Sequence, residues 1–232
     1  KYEQIKIPDT KINDYDYFSY FLKKINLINN NKLEFIKKNV PSKKYLVLNL
    51  SGEKQFKNIN NLNILLNTIK KNYNNKIYII GKTIDKKINK EIFNTMRKLN
   101  MKNIVNLWNK TDFLKSMQII NNSEYYIGFD TGLSHYSCII NKRSLIILNS
   151  GGNHKWFPYP SNLKNNTTYW TFNTPCAGCN FSGHLNKCFY KIRYCVDNIF
   201  LNKTKINFEF KNFIRNNKNV YLNFSKYNYF LS

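Results

Sequence analysis

Two rhythms of apolar residues alternate along this chain. Tyr45-Leu46-Val47-Leu48-Asn49-Leu50 is a nearly continuous apolar run closed by Ser51-Gly52, the pattern of a strand buried on both faces. Leu62, Leu65, Leu66 and Ile69 then recur at three- and four-residue intervals, which places them on one stripe of a helix. The pair repeats. Ile77-Tyr78-Ile79-Ile80 stops at Gly81, and Ile84, Ile88, Ile92, Met96 and Leu99 return to helical spacing. Ile104-Val105-Asn106-Leu107 predicts a short third strand, followed by a helix from about Asp112 to Asn121. Tyr125 to Phe129 predicts a fourth strand, a helix starts near Leu133, and Ser144 to Leu148 predicts a fifth strand, ended by Ser150-Gly151-Gly152.

Such alternation with short connections implies βαβ units and a parallel sheet with helices on both faces, a Rossmann-like α/β fold. Residues 1–42 read as a polar lead-in with one amphipathic stretch, Tyr17 to Ile28. Residues 43–200 read as the Rossmann-like domain, and 201–232 as a C-terminal helix and tail. Past Gly152 come a stiff aromatic–proline loop, Trp156-Phe157-Pro158-Tyr159-Pro160, an edge strand over Thr168 to Phe172, and a cysteine-containing loop. Helices near Asn198 and Phe208 follow. In a parallel sheet all strand carboxyl ends share one edge. The five strands are therefore expected to bring Gly52, Gly81, Asp130 and Gly151 to a common rim. Five of the eight glycines fall at these strand ends, as a ligand-binding rim requires.

Composition changes this picture little. A hydrophobic content of 42% supports a core, so the chain is not a disordered one. The net charge of +24 raises nucleic acid, anionic membrane or phosphorylated ligands as partners. Lysine and asparagine are spread along the whole length, however, as an AT-rich coding bias would produce. No Arg-rich cluster or RNP-like aromatic motif marks specific nucleic-acid recognition. Loose attraction to anionic lipid headgroups fits better. No apolar run approaches the roughly 20 residues of a spanning helix, which points to a soluble or peripheral protein.

The chemistry concentrates at Asp130-Thr131-Gly132-Leu133-Ser134-His135. A buried strand ends there and a helix starts at once, so backbone N–H groups point outward where an anion would be favoured. Asp130 as a plain helix cap and His135 as a partly buried histidine are the simpler reading of the same residues.

Together with Asn109-Lys110-Thr111-Asp112-Phe113, Trp156-Phe157-Pro158 and the spacing Cys176-x-x-Cys179, Cys188, Cys195, this block resembles the C-terminal half of glycosyltransferase family 9, the heptosyltransferase family. The resemblance spans about Pro41 to Ile199. It implies one half of a GT-B fold and inverting, metal-independent transfer of a sugar, heptose in the best-known members. The donor would be an ADP-sugar or another NDP-sugar. The acceptor would be a lipopolysaccharide-type lipid-linked or oligosaccharide molecule, and the place of action the cytoplasmic face of the inner membrane. It further implies that Lys54 meets the donor phosphates, Asp85 the ribose and Thr111 the adenine. Thr131, Gly132 and Leu133 would hold the diphosphate, with Asp130 and His135 facing the phosphates and sugar. Phe56 stands where the family has Trp. The half that carries the acceptor site and the general base is not represented, so this chain reads as the donor-binding half, with its catalytic base elsewhere.

Simpler readings of two of these residues stay open. Lys54 could be a solvated surface lysine, and Asp85 a carboxylate favoured by a helix N-terminus. The spacing C-x2-C-x8-C-x6-C allows a four-thiolate structural zinc. Reduced packing cysteines are the first expectation, and no cofactor is expected. The four cysteines should lie close together, because a loop of this length with few aliphatic residues needs a local staple. Cys138 should sit in the core. Two rival readings of the whole remain, a non-catalytic nucleotide-sugar-binding domain and a basic nucleic-acid-binding protein.

Overall fold

The computed structural model describes residues 43–50, 59–82, 86–149, 157, 166–172, 174, 194–215 and 220–224. Among them, seven strands form one sheet, and every neighbouring pair is parallel. They are β1 (Tyr45–Asn49), β2 (Lys76–Ile80), β3 (Ile104–Asn106), β4 (Tyr125–Phe129), β5 (Arg143–Ile147), β6 (Thr167–Thr171) and β7 (Val220–Asn223). The helices are α1 (Ile59–Asn72), α2 (Lys86–Lys98), α3 (Phe113–Asn122), α4 (Gly132–Ile139), the single turn α5 (Tyr194–Asp197) and α6 (Lys203–Arg215). A 3-10 turn at Asn198–Leu201 joins the last two. The Rossmann-like parallel sheet expected from the alternation is what the chain forms.

Each strand sends alternate residues to opposite faces, so a sheet covered on both sides needs apolar residues at every position. β1 and β4 are buried throughout. On one face Leu46, Leu48, Ile77 and Ile127 meet Leu62, Leu65 and Ile69 of α1, with Phe210 and Phe213 of α6 in the same cluster. On the other, Val47, Tyr126, Ile146 and Tyr169 pack with Ile120 of α3, Cys138 of α4 and Phe157. Each fully buried aliphatic side chain contributes about 1.5–3 kcal/mol relative to exposure, so the apolar stripes read in the sequence are what hold the helices on.

Two strand expectations need correction. Among the described residues the sheet has seven strands rather than five, and Thr167–Thr171 is not at its edge. β7 pairs with β6 from Thr168↔Val220 to Thr171↔Asn223 and lies outside it. The tail therefore completes the sheet. The breaker Gly81 has φ 131°, a conformation that side chains rarely adopt. It lets β2 end while the Gly81 carbonyl still accepts the Asn109 amide at 2.9 Å. Gly52 and Gly151 lie outside the described residues.

Candidate functional site

The strand order β3-β2-β1-β4-β5-β6-β7 reverses direction at one place. From β1 the chain steps outward to β2 and β3, then returns to the far side of β1 as β4. The helices that follow β1 and β4 pack on opposite faces of the sheet, α1 with one cluster and α4 with the other, the arrangement that leaves a crevice at such a reversal. The residues at its base are Asn49, which ends β1, and Asp130-Thr131, which follow β4. The Asp-Thr-Gly turn singled out in the sequence stands at the one reversal in the sheet.

A buried relay of hydrogen bonds ties the two strand ends together. Asn49 Nδ2 donates to Tyr126 Oη at 2.8 Å and approaches Thr131 Oγ1 at 3.2 Å. Tyr126 Oη and Ser134 Oγ are 2.9 Å apart, and Ser134 Oγ donates to the Phe129 carbonyl. Since the serine proton goes to that carbonyl and the asparagine N–H to the phenol oxygen, the tyrosine proton must point at Ser134. Every hydroxyl in this chain of three side chains thus has one direction, which orders the turn without any charge. Burial pushes the Tyr126 phenol well above its ordinary pKa, partly offset by its hydrogen bonds with Ser134 and Asn49.

Thr131 caps α4 in extended geometry, φ −149° and ψ 164°, and its side chain makes no capping bond. Its hydroxyl is turned toward Asn49 and Ser134 instead. The amides of Ser134 and His135 already bond the Thr131 carbonyl. Those of Gly132 and Leu133 lead the helix and have no carbonyl one turn back to bond. Beside them stands the start of α3. Asn109, at φ 59°, turns the chain there, and Asp112 accepts the Lys115 amide at 2.7 Å. Thr111 Oγ1 and Ser116 Oγ are 2.9 Å apart. A Cβ at Gly132 would meet the Phe113 ring at 3.7 Å, so the two helix starts touch at that glycine. Phe113 and Leu114 are exposed there.

His135 is held from two sides. Its ring stacks on Phe157 at 4.2 Å between centroids and 9° between planes, while Nε2 lies 3.6 Å from Asp130 Oδ1. That distance is longer than a hydrogen bond. Phe157 is itself fully buried and leans on Tyr169.

Of the residues expected from sequence, the structure gathers Thr111, Asp130, Thr131, Gly132, Leu133 and His135 around adjoining helix starts. Lys54 and Asp85 lie outside the described residues, as do Cys176, Cys179 and Cys188. Cys195 is half-buried. Among the described residues no three His, Cys, Asp or Glu side chains gather as a metal site. Sequence reading passed over Asn49, Tyr126 and Ser134. A signal was present, since a lone asparagine ends an otherwise apolar buried strand. A separate polar cleft of about 810 Å³ lies between α1 and α6, lined by residues such as Asn67, Lys71 and Asn207. None of the expected site residues lines it.

The model of glycosyltransferase family 9 (heptosyltransferase) matches residues 20–184. No curated protein sequence matches the chain. Among solved structures, it is similar to the ADP-heptose LPS heptosyltransferase II of E. coli, with 12% identity and a TM-score of 0.45, over 75% of this chain and 46% of that one. It is also similar to a family 9 glycosyl transferase from Veillonella parvula, with 10% identity and a TM-score of 0.47, over 91% of this chain and 53% of that one. The chain thus spans about half the length of these structures.

Proposed function

Because the chain belongs to glycosyltransferase family 9, we infer that it binds a nucleotide-sugar donor at the crevice between β1 and β4. The reaction it serves is transfer of a sugar, heptose by family likeness, to a lipopolysaccharide-type or oligosaccharide acceptor. The observation that carries this reading is the Thr131-Gly132-Leu133 turn, which opens α4 at the reversal of the sheet and is held by Asn49 and Ser134.

In this reading the donor diphosphate lies against the Gly132 and Leu133 amides. An acceptor hydroxyl attacks the anomeric carbon from the opposite side, which inverts it. The bond from that carbon to the β-phosphate oxygen breaks, and the nucleoside diphosphate leaves with the electron pair. The hydroxyl proton passes to a base on the acceptor side. Charge grows on the leaving diphosphate as the bond breaks. Oriented N–H groups and the positive end of α4 stabilise it there, with Lys54 adding a full charge. Asp85 takes the ribose diol, Thr111 lies along the adenine, and Asp130 with His135 faces the sugar. The work would take place at the cytoplasmic face of a membrane that carries the acceptor.

A second reading is a nucleotide-sugar-binding domain that does not transfer alone. Titration calorimetry with ADP, an ADP-sugar and pyrophosphate tests the first. Binding of all three is expected, weakened about 1–3 kcal/mol by Lys54→Ala. Asp85→Ala should weaken the nucleotides more than pyrophosphate, which has no ribose. Absence of nucleotide binding would remove the donor site from this crevice. Sugar transfer by the chain alone would dismiss the second reading and place the base among its own residues.

A further inference from the structure

The parallel topology that collects the candidate site at one end of the sheet also collects charge at the other. Strands start there and the long helices end there. Lys43 and Lys44 precede β1, Lys76 opens β2 and Lys102 precedes β3, and all four are exposed. Lys70 and Lys71 close α1, and Arg97 and Lys98 close α2, again all exposed. The loops that bear them are tied into one surface. Lys70 Nζ donates to the Leu99 carbonyl at 2.5 Å, and Asn103 Nδ2 donates to the Asn75 carbonyl at 2.6 Å. Because β3, β2 and β1 are neighbours and adjacent strands lie about 4.8 Å apart, these cations share a patch about 10–15 Å across. Among the described residues the carboxylates near this end are Glu124, just before β4, and Glu209, two residues past the Asn207 that bonds Asn72 at the end of α1. The opposite end is mixed, with Asp112, Asp130 and Asp197 among its lysines.

Helix-dipole compensation accounts for a cation or two at the end of each helix. It does not account for Lys43, Lys44, Lys76 and Lys102, which lie on strand approaches. We propose that the strand-starting end of the sheet beneath β1, β2 and β3 is a docking surface for an anionic phospholipid bilayer. Seven of the eight cations are lysines, compact point charges suited to a diffuse layer of headgroups, whereas phosphate and base recognition in nucleic acid favours the arginine fork. Among the described residues none of the exposed large apolar side chains belongs to 43–102, so the described surface of the patch offers no aromatic platform for stacking bases. A bilayer asks for neither fork nor platform, since juxtaposed basic residues are drawn to its surface potential additively. Docked this way, the crevice at the other end stays open to the solution from which a nucleotide-sugar would arrive. The proposal does not depend on the donor reading.

Co-sedimentation with vesicles tests it. The chain should bind vesicles containing about 30% phosphatidylglycerol, release them as salt shrinks the Debye length from about 10 Å toward 3 Å, and ignore pure phosphatidylcholine. Lys44→Glu/Lys76→Glu/Lys102→Glu should lower partitioning at least about tenfold, while Lys82→Glu/Lys110→Glu/Lys115→Glu at the opposite end, with the same change in net charge, should lower it less than about threefold. Circular dichroism checks that both triples are folded, and the Lys→Gln versions serve if either is not. Equal loss from both triples would mean that net charge acts without a particular face, and overturn the proposal. Equal binding to neutral vesicles would overturn it too. So would tight binding of duplex or single-stranded nucleic acid, abolished by the first triple, in a chain that leaves anionic vesicles alone.

Discussion

Gly128 lies two residues after Tyr126 on the same strand face, and the tyrosine ring extends across it. A Cβ there would stand 2.5 Å from the phenol oxygen and 2.8 Å from Cζ. Glycine is what lets a residue in the middle of β4 deliver its hydroxyl to Ser134 at the strand's end. Gly128→Ala should therefore destabilise the chain by about 1–3 kcal/mol, the usual scale of overpacking, measured as a fall in the urea midpoint. With Tyr126→Leu the two losses should add to less than their sum, because the shorter side chain vacates the contested space. Strict additivity would contradict this account. Cys138 makes a second prediction at this scale. Its thiol is fully buried beside Thr167 Oγ1 at 3.3 Å, and burial pushes its pKa up to about 12. The thiolate is the reactive species, so the Cys138 peptide should resist a water-soluble alkylating reagent until denaturant is added. Rapid labelling of that peptide in native buffer would show that α4 opens readily. The core position of Cys138 was legible from the helix stripe. The relay through Asn49 was not, because its partners lie 77 and 82 residues away and no local pattern reports such a distance.

At the scale of elements, two cations entering β5 anchor two helices. Lys142 Nζ donates to the Asn121 and Ser123 carbonyls at 3.0 and 2.5 Å, and so closes the end of α3. Arg143 Nη2 donates to the Phe213 carbonyl at 2.6 Å near the end of α6, with its guanidinium 5.2 Å from the Tyr125 ring centre. Helix carboxyl ends expose carbonyls and partial negative charge, which such cations satisfy. Arg143→Met keeps most of the stem and removes the charge. It should cost about 1–3 kcal/mol, and hydrogen exchange should rise first in α6 and β7. Uniform loss of protection across the sheet would argue against a local anchor. β7 itself was illegible. Its four residues, Val-Tyr-Leu-Asn, resemble the rest of an Asn- and Tyr-rich tail, and only the free edge of β6 turns them into a strand.

The whole molecule should be sensitive to alkali. Burial, with Tyr78 adding to it, pushes Tyr45 up to about 12. Burial likewise raises Tyr73, helped by Glu124, and Tyr126. An unfolded tyrosine ionises near pH 10, so between pH 10 and 12 the folded chain holds protons that the unfolded chain releases. Stability from these groups is complete below about pH 10 and declines as pH rises through the folded values. Lysines lose charge over the same range, which relieves self-repulsion in so basic a chain and works the other way. The comparison is therefore between variants. From pH 8 to 11 the urea midpoint of Tyr45→Phe should fall less than that of the parent. Identical slopes would mean that Tyr45 titrates freely in the folded chain.

Spacing along the chain determined the kinds of element, their order and the turn that matters. Apolar runs of strand length alternating with helical stripes have few solutions other than a covered parallel sheet, and Asp130-Thr131-Gly132 announces a strand end and a helix start in three residues. Tertiary structure decided which strands are neighbours. A sheet in strict chain order would keep the ends of β1 and β4 apart, and the same turn would then cap a helix and do nothing more. Only the return of the chain across β1 brings Asn49 under Thr131 and opens the crevice. It also decided how His135 is held, since the stack on Phe157 joins residues with β5 between them. Local periodicity records how a segment buries its own face, whereas neighbours across a sheet are chosen by the burial of all segments at once.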